Sequence, residues 1–209
     1  MKSNKSIFLS LALLCSLSSL VAQTEKTVIG NHGLKFSGLW GGTKHQITSF
    51  DNHNSSSYIQ GGYFGFEFGK ALLIGWGHYD LYDDFKWDNI ENQKFDMRWE
   101  PLVLGYGFNS FKSIHPQIGL DLGAGKVKLG DLSDRIFVMQ PSAGIEINVL
   151  RWFHIGLDGG YRFVSDSSIP ALSNQKLSGW YGQISSKFGF SWGEYHKKKE
   201  NSKPKIYEN

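Results

Sequence analysis

The run Trp180-Tyr181-Gly182-Gln183-Ile184-Ser185-Ser186-Lys187-Phe188-Gly189-Phe190-Ser191-Trp192 decides the fold. Its even positions are Trp180, Gly182, Ile184, Ser186, Phe188, Phe190 and Trp192, and its odd positions are Tyr181, Gln183, Ser185, Lys187, Gly189 and Ser191. Successive side chains of a β-strand point to opposite faces, so a period of two with one apolar and one polar face reads as a strand. The apolar face is aromatic at both ends, as in a strand that crosses a bilayer with rings at the two headgroup levels.

The same pattern recurs along the chain and predicts strands at about 33–44, 58–69, 71–82, 94–108, 113–125, 135–149, 152–163 and 178–193. In the seventh, Phe153, Ile155, Leu157, Gly159, Tyr161 and Phe163 share one face, and His154, Gly156, Asp158, Gly160 and Arg162 the other. The third, through Leu72-Leu73-Ile74-Gly75-Trp76, offers no clear face. Short connections at 69–70, 109–112 and 150–151 alternate with long polar ones near 45–57, 83–93, 126–134 and 164–177. Strict alternation of short and long connections, with an even strand count, is the layout of short periplasmic turns and longer outer loops. The expected fold is all-β, an eight-stranded antiparallel up-and-down transmembrane β-barrel over 23–193, monomeric, with both ends of the barrel chain in the periplasm.

The polar face is expected to fill the lumen with a self-neutralising network: Lys35, Glu67, Arg98, Glu100, Asp121, Glu146, Asp158, Arg162 and Lys187. Eight tilted strands leave a lumen just wide enough for side chains to fill, and buried charges must be paired. Bulky apolar residues gather at strand ends, which predicts an aromatic girdle of Trp40, Phe68, Phe95, Trp99, Phe108, Phe153, Phe163, Trp180 and Trp192. A packed core would want that bulk in the middle of the strands. This weighs against the rival reading, a soluble periplasmic lipocalin-like binding barrel. Pro101 and Pro141 fall inside strands, where each removes a ladder donor. Around Pro101 the apolar positions change parity, from Phe95, Met97 and Trp99 to Leu102, Leu104, Tyr106 and Phe108, which predicts a β-bulge there.

The ends of the chain read differently from its middle. Residues 1–22 have the form of a secretory signal, with Lys2 and Lys5 before an apolar core and a plausible end at Leu20-Val21-Ala22. The one cysteine, Cys15, lies inside it and follows Leu14, so lipidation is rejected and the mature chain has no thiol chemistry. Residues 194–209 form a charged periplasmic tail. The 22 basic and 19 acidic residues lose two lysines to the leader, and five lysines and three glutamates to the tail. That leaves 15 basic and 16 acidic residues over 23–193. Such a body has no basic stripe for nucleic acid. The mean hydropathy of the whole chain, −0.31, is compatible with a barrel, in which alternate residues alone face lipid.

On strand count, loop alternation and girdles, the chain resembles the small eight-stranded OmpA/OmpX-like outer-membrane barrels over about 33–193. The resemblance implies location in the cell outer membrane, contact with outer-membrane lipid and lipopolysaccharide, and delivery by the barrel-insertion machinery. It departs from the pattern at its end, because Phe190 and Trp192 are followed by the tail rather than closing the chain. The expected role is a non-enzymatic envelope or surface-interaction protein; a narrow pore for ions or small solutes is the alternative. A lipid A-modifying barrel enzyme is a third reading, resting on Asp51, His53 and Ser55 in one loop. Triads are defined by geometry rather than by nearness in sequence, so that loop is weak support. No metal and no cofactor is expected. The seven histidines show no ligand spacing, Asp80, Asp83, Asp84 and Asp88 match no calcium loop, and there is no phosphate-binding glycine motif.

Overall fold

The computed structural model describes residues 35–50, 56–82, 85–86 and 94–193, with the backbone alone at 85–86. The leader, the tail, the loop carrying His53, and Asp83, Asp84 and Asp88 lie outside the described residues. The strands are β1 (Phe36–Ser49), β2 (Ser56–Phe68), β3 (Leu72–Leu81), β4 (Phe85–Lys86), β5 (Lys94–Gly107), β6 (Ile114–Leu129), β7 (Leu132–Leu150), β8 (Phe153–Ser165) and β9 (Gly179–Ser191). One helical turn, α1 (Asn174–Leu177), precedes the last. Each long strand pairs antiparallel with its neighbours in sequence, β1 pairs with β9, and β3 pairs with β5. The ring therefore closes on eight long strands; β4 is a two-residue ladder at the end of β5.

Several local expectations are corrected. The third strand does alternate: Leu73, Gly75, Tyr79 and Leu81 turn inward and Trp76, His78 and Asp80 outward. The connection expected as a long loop over 126–134 is a two-residue turn. Leu129 pairs with Leu132, and Gly130 takes φ 57 at the first turn position, a conformation open to glycine without a Cβ clash. β6 and β7 therefore rise together as the longest hairpin, 16 and 19 residues.

Pro101 causes no bulge. β5 keeps one unbroken register with β6 from Phe95↔Leu129 to Gly107↔Gln117. Its other edge keeps register with β3 too, and loses only the pairs between Trp76↔Leu102 and Tyr79↔Trp99. Pro141 acts in the same way toward β8, where pairing skips from Met139↔Phe163 to Ser142↔Gly160. A missing N–H interrupts a ladder locally without adding a residue. The irregularities that do shift register lie at the short-turn end, between Phe36 and Gly38 and between Asn148 and Leu150.

The parity change in β5 has another cause. Phe95, Met97 and Trp99 point into the barrel, fully buried, while Leu102, Leu104 and Tyr106 point outward from the other half of the strand. The strand never changes phase; the environment on its two sides does. Near the long loops the interior is apolar and the exterior polar, as in a soluble barrel. Near the short turns the arrangement is reversed. The upper interior is one apolar cluster that includes Phe50, Ile59, Tyr79, Phe95, Trp99, Leu129, Val138 and Val164, capped by Ile169, Leu172 and Leu177 of the β8–β9 connection.

Candidate functional site

Outward side chains define a belt around the lower and middle barrel. Phe64, Trp76, Leu102, Leu122, Met139 and Phe163 sit opposite one another in a single row across six strands. Ile118, Ile145, Leu157, Ile184, Phe188 and Phe190 extend the exposed apolar surface below it. A contiguous band of this size is far beyond what a soluble monomer leaves to water. Rings cluster toward the short turns, where Phe36 packs edge-on against Trp192 at 5.0 Å and Phe153 stacks on Phe188 at 4.8 Å. A second set, Tyr161 with Phe163 at 4.7 Å and with Trp180 at 5.2 Å, lies toward the loops.

Of the expected girdle residues, Phe68, Phe108, Phe153, Phe163, Trp180 and Trp192 lie on the outside. Trp40, Phe95 and Trp99 are inside and essentially inaccessible. Trp99 stacks on Tyr79 at 5.1 Å in the apolar cluster, and Gly125 opposite it supplies the room. A Cβ there would come within 2.6 Å of Trp99 Cβ.

The lumen is built in tiers. Nearest the short turns, the buried Glu67 carboxylate accepts hydrogen bonds from the hydroxyls of Ser37 (3.0 Å) and Ser191. Next comes a hub at Glu146, whose carboxylate lies 3.3 Å from Lys187 Nζ, 2.9 Å from His154 Nδ1 and 3.6 Å from His115 Nε2. Trp40 roofs this hub, with Lys187 Nζ 4.7 Å from its ring and the His154 ring 4.5 Å away. In the middle, Lys44 meets Asp121 at 2.7 Å, Tyr79 donates to the same carboxylate, and Asp158 accepts from Gln117 and Gln183. Above them, Gln140 donates to Gln46 and Gln46 to Gln183. Arg162 forms the uppermost polar tier, fully buried. Its Nε donates to the Leu177 carbonyl, its Nη2 to Thr48 Oγ1, and its guanidinium lies 4.7 Å from the Phe50 ring.

Glu67, Asp121, Glu146, Asp158, Arg162 and Lys187 thus face the lumen, whereas Lys35, Arg98 and Glu100 do not. Lys35 is exposed just ahead of β1. Arg98 and Glu100 lie on the half of β5 whose outward face is polar. Sequence reading missed Lys44, which lies at the predicted end of its strand; β1 runs five residues further, and Gln46 and Thr48 on the same parity mark the continuation. It also missed His115 and the part His154 takes in the hub. Among the described residues, no group of three or more His, Cys, Asp and Glu is arranged to hold a metal.

The lower tiers surround a cavity of about 720 Å³ whose rim includes Lys70, Ser110 and Arg151 of the short turns. Its upper wall is the Lys44, Tyr63 and Gln183 level. The cavity is therefore a pocket facing the short-turn side, with the glutamine tier, Arg162 and the apolar cluster between it and the loops. The β8–β9 connection is tied over the top by Asp134, which accepts from the backbone N–H of Ser168 at 2.5 Å and from its hydroxyl at 2.6 Å.

Among solved structures, the barrel is similar to Neisserial surface protein A (NspA), with a TM-score of 0.52 and 11% identity over 77% of this chain and 100% of that one. Other similar structures are the N-terminal barrel domain of Pseudomonas aeruginosa OprF (TM-score 0.46, 11% identity, 72% and 97% covered) and Ail, the attachment invasion locus protein of Yersinia pestis (0.46, 15%, 74% and 97%). No protein-family profile and no curated protein matches the sequence. The fold is that of the small eight-stranded outer-membrane barrels, and the apolar belt and this fold together make the chain an outer-membrane β-barrel.

Proposed function

We propose that this outer-membrane barrel is a closed, non-enzymatic envelope protein that acts through its outer surface rather than as a conduit. The observation that carries the reading is the stack of Phe95, Trp99, Leu129 and Leu172 above the buried Arg162. An ion entering from the loops would have to leave its hydration shell in an apolar plug before reaching any polar tier, which is costly without a partner. Below the plug, Lys44–Asp121 and Lys187–Glu146 hold strands together by charge across the lumen. The reading also includes association with outer-membrane lipid, insertion by the barrel-assembly machinery, and a monomeric state.

Conductance of the full-length protein in a planar bilayer tests the proposal. The expected record is flat, at the level of bilayer leak. Discrete, reproducible steps would overturn it in favour of the narrow pore.

A further inference from the structure

The outer face of β5, β6 and β7 carries a row of cations that ordinary sheet pairing disfavours. Arg98 lies directly opposite Lys126, and Lys126 directly opposite Arg135, all three exposed. Like charges opposite each other destabilise a sheet. One carboxylate, Asp80, sits at the β3 end of the row opposite Arg98, but it is engaged by His78 at 2.7 Å. Lys128 adds a fourth cation in the tier above, opposite Asp96. None of Arg98, Lys126, Lys128 or Arg135 forms an ion pair with a carboxylate among the described residues.

The height of the row is informative. Four residues down each strand, on the same face, lie Leu102, Leu122 and Met139 of the six-strand apolar row. Four residues of strand span about 13 Å. Between the two rows come Glu100, Ala124 and Phe137, a transition from charge to hydrocarbon. The cations therefore stand about 7 Å beyond that transition, at headgroup depth on the side of the long loops. Arg and Lys in a cluster match phosphate oxygens through charge-assisted hydrogen bonds.

We propose that Arg98, Lys126 and Arg135, with Lys128 above them, form a docking surface for the phosphorylated headgroup of an outer-leaflet lipid. The bound phosphates would neutralise the row and remove the like-charge cost of building it. This rests on the membrane reading given above.

The test uses the full-length barrel in phosphatidylcholine vesicles containing increasing fractions of diphosphorylated lipid A. Its melting is followed by the heat-dependent gel shift. The wild type is expected to gain thermal stability saturably with diphosphorylated lipid A, and to gain nothing from the dephosphorylated lipid. The variant Arg98→Gln/Lys126→Gln/Arg135→Gln should need at least tenfold more lipid for half its effect. Lys112→Gln/Arg151→Gln, at the short turns, should respond as wild type. An equal response of the triple variant, or of wild type to dephosphorylated lipid, would overturn the proposal. So would loss of the effect on adding inorganic phosphate or a soluble sulfated polysaccharide, which would assign the surface to a soluble anion. Failure to enter the vesicles at all would instead bring down the membrane reading.

Discussion

At the scale of single residues, the hub at Glu146 shows how a small lumen holds charge. One carboxylate faces Lys187, His154 and His115, and each of these comes from a different strand or turn of the ring. Removing one partner of a buried pair strands the others, and that costs more than replacing the whole set by apolar groups. Glu146→Leu is therefore expected to lower the unfolding free energy by roughly 3 kcal/mol. That is the lower end of the range for broken buried pairs, because the hub borders a cavity that faces the short turns. Glu146→Leu/Lys187→Met should recover most of that loss. Urea unfolding in lipid vesicles reads both, and an undiminished wild-type midpoint in the single variant would show that the hub holds nothing together.

At the scale of elements, β5 carries the lesson. Its two halves bury opposite content: Phe95, Met97 and Trp99 face inward, and Leu102, Leu104 and Tyr106 face outward. Quenching by lipids brominated on their acyl chains reports this directly. In single-tryptophan variants, Trp76, which is 65% exposed on the apolar row, is expected to be strongly quenched. Trp40 and Trp99, at 1% each, are expected to be nearly untouched. Strong quenching of Trp99 would place it on the lipid side and undo the inverted interior.

The same strand shows what was legible in the sequence. Period two identifies a strand whichever way its apolar set faces, so the long strands and their order were readable from alternation and the connections between them, although the third showed no clear face. Which side is inside depends on what lies outside, and that changes along β5 from water to lipid. A reading that holds the apolar set on one side throughout must invent a bulge at Pro101 and must send Arg98 and Glu100 inward. Trp40 misled for a related reason. A large ring near a strand end fits a girdle, but Trp40 shares parity with Gly42, Lys44 and Gln46 and fills the lumen above Glu146. Long-range partners such as Lys44 with Asp121, 77 positions apart, depend on strand register, which alternation does not specify.

At the scale of the whole molecule, the barrel is two containers end to end. The lower one wraps polar groups in a lipid-facing wall, and the upper one wraps an apolar core in a water-facing wall with a lid tied down at Asp134. This arrangement gives a closed long-loop end and a pocket open on the short-turn side. It also makes the β6–β7 hairpin taller than the belt requires, since its tip at Gly130 lies eight residues beyond Leu122 of the apolar row.

That tall hairpin constrains how the protein reaches its final position. If the barrel enters from the periplasmic side, its upper wall must traverse the hydrocarbon before it emerges, and Arg98, Lys126, Lys128 and Arg135 travel on it. Each lysine or arginine on a lipid-facing wall costs about 2–4 kcal/mol at the bilayer midplane. The passage is therefore an activation barrier that the finished structure no longer displays. Unassisted insertion should be markedly faster into thin vesicles of short-chain lipid than into long-chain ones. Neutralising the four cations to glutamine should largely remove that dependence on thickness, as followed by the appearance of the heat-modifiable band over time.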